Sequence, residues 1–145
     1  MSNVKTIFQW NDKEFNAALK LNMTQRMAVS CLEVEKIVKL SMSEGGGPSA
    51  PGEPPHVQTG RLRASISSNW SGSGRQTGRV GSKADAPGVG NPGGKYPMIA
   101  GVVGTNVDYG ADLEQGNRGR NLSPRPYLRP ALDKATPAIR RIFGI

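Results

Sequence analysis

The side chains able to do chemistry in this chain are few and scattered. There is one histidine and one cysteine. His56 stands in a Pro-rich loop between Pro55 and Val57, and Cys31 falls inside a helical pattern. A cysteine nucleophile needs a base held beside it by a third group, and nothing in the sequence orients either residue. A zinc site needs several such ligands at defined spacing, which is absent. Asp108, Asp112 and Glu114 form the closest set for general acid–base work. A plainer reading places Asp108 at a helix start, where the dipole favours an acid, and Glu114 in an ion pair with Arg61 or Arg129. The glycines of Gly88-Val89-Gly90 and Gly93-Gly94 neither follow a clear strand nor open a helix, so they make a poor phosphate cradle. The expectation is a protein with no catalytic residue, no metal and no cofactor.

Cations are the other chemical resource. Net charge is +8 and the sequence pI is about 10.1. Residues 1–44 carry +1, residues 45–97 carry +4 and residues 98–145 carry +3. Arg75, Arg79, Lys83 and Lys95 lie in a segment, 71–97, that holds eight glycines and three prolines. Loops beyond about 15 residues are uncommon in compact domains and tend to be functional or disordered. This segment is expected to be a flexible basic arm that orders against a negatively charged partner, either DNA or an acidic protein surface. The competing reading is simple disorder, with charge serving only solubility.

These groups must be positioned by a modest scaffold. The strongest pattern is a helix from about Asp12 to Met42. Its apolar stripe reads Phe15, Leu19, Met23, Met27, Cys31, Val34, Val38 and Met42, with Ala18, Ala28, Leu32 and Leu40 as a flank. Asn11 and Glu14 suit a capping box, Trp10 and Phe15 a hydrophobic staple, and Gly45-Gly46-Gly47-Pro48 a stop. Val4 to Trp10 is β-prone. Gly45 to Gly60 is an extended Pro/Gly loop, after which Thr59 can cap a short helical turn and Ile66 to Trp70 can form a strand. Arg79-Val80-Gly81 hints at another strand, and Met98 to Gly104 reads as a core strand. A short helix is expected from Asn106 to Glu114, ended by Gly116, with Tyr109 and Leu113 on one apolar edge. A polar loop then leads to a helix from Leu128 to Phe143. Leu128, Leu132, Ala135, Ile139 and Phe143 share a side of it, and Pro137 kinks or divides it.

The chain has 145 residues, of which 36% are apolar. That is enough for one domain with one modest core. A lone cysteine fits a buried thiol in a reducing compartment. No signal peptide or long apolar span is visible, so a protein made in the cytoplasm and independent of membranes is expected. The fold class expected is α+β: a small, largely antiparallel sheet packed by one long N-terminal helix and a shorter C-terminal one, with long Gly/Pro-rich loops.

Four segments in order carry a family resemblance. They are Pro51-Gly52-Glu53-Pro54-Pro55 with Thr59 to Ile66; Val103 to Gly110; Leu113-Glu114-Gln115-Gly116; and Pro124 to Leu132. Together they resemble the small neck proteins of siphophages and related myophages, called head–tail joining or tail completion proteins. Motif positions include Pro55, Thr59, Gly60, Leu62, Ser65, Gly104, Tyr109, Glu114, Gly116, Pro126, Tyr127, Leu128 and Pro130. Gly110 stands where the family pattern has alanine, Tyr127 where it has phenylalanine, and the basic insert at 71–97 is a larger departure. The resemblance implies an α+β fold, no catalysis, and assembly as a homo-oligomeric ring at the head–tail junction of the virion. Its partners there would be the connector, stopper, tail terminator or tube, with non-specific contact to genomic DNA. A tail terminator, a non-specific DNA-binding protein and a small hydrolase using Asp108, Asp112 or Glu114 are the rival readings. For each motif residue, fold maintenance outweighs direct contact with a partner. Gly104 and Gly116 are read as backbone requirements at a strand exit and a helix end.

Overall fold

Helix α1 (Asp12–Ser41) runs for 30 residues, some 45 Å, along one side of the protein. The computed structural model describes residues 12–42, 47–72 and 99–145. The expected strand at Val4–Trp10, the cap and staple at Trp10 and Asn11, and the Arg79–Gly81 strand lie outside them. So does the segment carrying Arg75, Arg79, Lys83 and Lys95.

After α1 come a short helix α2 (Arg61–Ser65), strand β1 (Ser67–Trp70), strand β2 (Gly101–Gly104), helix α3 (Gly110–Gln115), a 3-10 turn (Arg118–Arg120) and helix α4 (Leu128–Phe143). β1 and β2 form a two-stranded antiparallel sheet, with Ser67 opposite Gly104 and Trp70 opposite Gly101. The fold is α+β, as the sequence leads one to expect. The third helix is shorter at its start than its sequence suggests. Thr105 to Tyr109 make a turn, closed by the Gly110 N–H donating to Val107 O at 2.8 Å, and Asp108 sits in that turn and not at a helix N-terminus.

α1, α4 and the sheet enclose the core. Val34, Val38, Met42, Leu62, Ile66, Val107, Tyr127, Ala131 and Ala135 form one buried cluster. Only the C-terminal half of the α1 stripe takes part. Phe15 and Leu19 are about half exposed, at 49% and 50%, and Leu32 and Leu40 of the expected flank face solvent. The reason is length: the sheet and α4 are too short to cover 30 helical residues. α4 likewise turns Ala131 inward and leaves Leu132 46% exposed. Two alanines four apart let the α4 backbone come close to α1. Pro137 lies within α4, yet Leu128–Phe143 is one helix. The carbonyl that loses its partner is that of Asp133, an exposed residue, so water can satisfy it.

Strand β1 is polar and still buried. Ser67, Ser68 and Asn69 are 7%, 0% and 2% exposed. Buried hydroxyls need partners, and α1 supplies one: the Glu35 carboxylate accepts from Ser68 Oγ while binding Lys39 Nζ at 2.6 Å. Glu35→Ala is therefore expected to cost about 2 kcal/mol, because it removes a charged acceptor from the buried Ser68 hydroxyl. Urea denaturation of the variant measures it, and a loss below about 0.5 kcal/mol would show the contact to be idle.

Where β2 meets α1 there is no room for a side chain. A Cβ on Gly101 would fall 2.2 Å from Cys31 Sγ and 2.8 Å from Met27 Sδ. Cys31 is buried, as expected, and its thiol pKa is pushed up from 9.0 to about 11, first by burial and then by the negative charge of Glu35. The unfolded chain loses this proton near pH 9 while the folded one keeps it, so the group's contribution to stability is intact below that pH and is lost as pH rises toward 11. The urea midpoint of the wild type should fall across this window more than that of Cys31→Ala; parallel falls would refute it.

Candidate functional site

The first motif segment, distant in sequence, meets the three that lie within residues 103–132 around the N-terminus of α4. Every helix begins with backbone N–H groups that lack intrahelical partners. Here a carboxylate from another helix takes them. Glu114 Oε2 accepts from Tyr127 N at 2.7 Å and Leu128 N at 2.9 Å, and Oε1 accepts from Arg129 N at 2.9 Å. The positive end of the α4 dipole adds to the attraction. At the other end, Arg26 Nη1 donates to Ile142 O at 3.0 Å, a cation on the negative end. Both ends of α4 are thus held by side chains of opposite charge from elsewhere in the chain.

The expected ion pair of Glu114 with Arg61 or Arg129 does not form. Glu114 binds the backbone of Arg129, whose guanidinium instead lies 3.7 Å from Asp133, while Arg61 is in no ion pair among the described residues. The sequence signal for the cap was the spacing alone: Glu114 lies one loop ahead of an otherwise uncapped Tyr127-Leu128-Arg129 start.

Around this cap the remaining motif residues lock together. Tyr127, 1% exposed, donates from its hydroxyl to Gly110 O at 3.0 Å. Burial, and the charges of Glu114 and Tyr109 beside it, hold its phenol well above the usual tyrosine pKa. Ser65 Oγ donates to Leu62 O at 2.6 Å and also meets Thr105 Oγ1, which accepts from Val107 N at 3.1 Å. Gly52 N donates to Pro124 O, and Arg125 N to Leu113 O. Leu62 is in the core, with Tyr109, Leu113 and Leu128 packed against it. Pro55 is buried, Pro126 half-buried, and Pro130 sits in the first turn of α4, where a missing N–H costs nothing. Thr59 Oγ1 accepts only a long 3.4 Å contact from Arg61 N, and the residue preceding α2 is Gly60 in the left-handed region. Gly116 closes α3 at φ +76°, as its position suggests. Gly104 is not such a case: it is the last residue of β2, paired with Ser67, and its φ is not positive.

The groups considered for catalysis are kept apart. Asp108 is exposed. Asp112 accepts from Asn117 Nδ2 at 3.0 Å and pairs with Arg120 at 3.1 Å. Glu114 is occupied as a cap. Cys31 and His56 line different cavities. Among the described residues no group of three or more His, Cys, Asp or Glu side chains is placed to hold a metal ion, and no helix is long and apolar enough to cross a membrane.

Two concavities flank the cap. One, of about 540 Å³, lies between α1, β2 and α4 and is walled by Met27, Val102, Val103, Leu132, Ile139 and Phe143. It continues the apolar stripe that α1 exposes toward its N-terminus. The other, of about 630 Å³, lies between α2, α3 and the loop after α1, with three arginines on its walls. No family of known proteins matches this chain, and no curated protein or solved structure is significantly similar to it.

Proposed function

We propose that this chain is a structural protein of the tailed-phage neck, assembling as a ring between the connector and the tail and acting without catalysis. One observation carries the reading: the four motif segments that resemble the neck family converge on a single hydrogen-bonded scaffold around the α4 cap. The carboxylates nearest a catalytic arrangement are spent there on structure, Glu114 on the cap and Asp112 on the turn that follows α3. Apolar side chains are meanwhile left on the outside, with Phe15, Leu19, Leu21 and Val29 of α1 each about half exposed or more. A ring repeats one interface around its axis, so a modest apolar patch on each copy gains from repetition. The basic surplus of the chain suits a ring around DNA, since phosphate contact carries no base sequence. Electron microscopy of particles assembled without the protein tests the reading. Filled heads beside finished but unjoined tails are expected; complete, infectious particles would dispose of it.

A further inference from the structure

The arginine-walled cavity lies beside the α4 scaffold and shares Leu62, Tyr109, Leu113 and Arg125 with it. Arg61, Arg63 and Arg125 all line it, and no carboxylate among the described residues does. Among the described residues, none of the three is in an ion pair. Arg125 Nε is fixed by donating to Ser49 O at 2.9 Å. Ser49 is itself 3% exposed, lines the same cavity, and its hydroxyl has no hydrogen-bond partner among the described residues. The rest of the lining includes Pro55, Val57, Leu62, Tyr109 and Leu113, which are apolar or largely so. Other unpaired arginines, such as Arg118, Arg140 and Arg141, stand on exposed helix and turn surface, where water solvates them. Arg61, itself exposed, and the half-buried Arg63 differ in sharing a concave, partly apolar site.

We propose that this cavity binds an acidic segment of a partner protein, one in which carboxylates flank an aromatic or aliphatic side chain. A guanidinium fork matches a carboxylate in two parallel hydrogen bonds. The apolar walls take the neighbouring side chain, in the manner of pockets that combine apolar lining with a few placed polar groups. Duplex DNA fits less well. A phosphate backbone needs a track of cations along an open surface and gains nothing from Val57 or Leu113. The inference stands on the cavity alone, so it holds whether or not the chain is a neck protein.

Fluorescence anisotropy with a labelled, capped peptide alternating glutamate with phenylalanine and leucine provides the test. The full chain should bind it, at least tenfold more tightly than the same peptide with glutamine for glutamate. The double variant Arg61→Ala/Arg63→Ala, with an unchanged urea midpoint, should lose at least tenfold. Arg61→Glu/Arg63→Glu should prefer a peptide with lysine for glutamate, a reversal that loss of fold cannot produce. Equal binding of the glutamate and glutamine peptides would overturn the proposal, as would indifference to Arg61 and Arg63. A 20-base-pair duplex that displaces the peptide and depends more strongly on the same two arginines would give the site to nucleic acid and overturn it as well.

Discussion

Replacing Glu114 with alanine should destabilise the protein by about 3 kcal/mol. Three backbone N–H groups lose a charged acceptor at once. A hydrogen bond to a charged group contributes about 1.5–3 kcal/mol, but these donors lie at a half-buried helix end where water can replace part of what is lost, which brings each nearer the value of an ordinary cap, about 1 kcal/mol. Glu114→Gln keeps one carbonyl oxygen and turns an NH₂ group toward donors, so about half the loss is expected. The measurement is the urea midpoint at constant slope, with hydrogen exchange of the Tyr127, Leu128 and Arg129 amides as a local readout. A global loss below about 1 kcal/mol, with those amides still protected, would mean the cap is incidental.

That cap also marks how far the sequence could be read. The long helix, both strands near residues 67–70 and 101–104, the Gly116 stop and the last helix are visible in periodicity and turn chemistry, because local patterns decide them. What each apolar residue touches is not local. Phe15 and Leu19 continue the same stripe as Val34 and Val38, yet only the latter meet the sheet and α4. No periodicity tells how much of a 30-residue helix its neighbours can cover. Leu132 and Ala131 show the same gap: the larger side chain looks like the packing residue, but close approach of two helices favours the smaller one. Glu114 was legible as a residue with a partner, and the partner was missed because an ion pair is the default for an acid near arginines. A carboxylate that reaches the start of a helix finds three aligned donors, a better partner than a single exposed guanidinium. Of the cavity's arginines the sequence offers only Arg61, as a partner for Glu114, since the meeting of all three depends on the loop from Ser49 to Gly60 folding onto α3.

The largest single effect should come from Tyr127. It is among the largest fully buried side chains, in the centre of the core cluster, and Tyr127→Ala should cost about 4 kcal/mol through lost burial and the cavity left behind. Against a total stability of roughly 5–15 kcal/mol, such a variant loses between about a quarter and four fifths of it. Tyr127→Phe separates the hydroxyl from the ring. It leaves the Gly110 carbonyl without its donor and should cost about 1 kcal/mol. Under the proposed neck reading phenylalanine is expected here and alanine at position 110, and the two positions touch. A Cβ on Gly110 would lie 3.0 Å from the Tyr127 hydroxyl and 2.5 Å from the Thr105 methyl. The tyrosine hydroxyl therefore occupies space that glycine leaves open. Gly110→Ala alone should cost about 2 kcal/mol by overpacking. In the Tyr127→Phe background one of the two collisions is gone. The double variant should accordingly lose at least about 1 kcal/mol less than the sum of the two single losses, a coupling that contacting residues show and distant ones do not. Additivity within about 0.3 kcal/mol would mean that the Tyr127 hydroxyl does not set the room at Gly110.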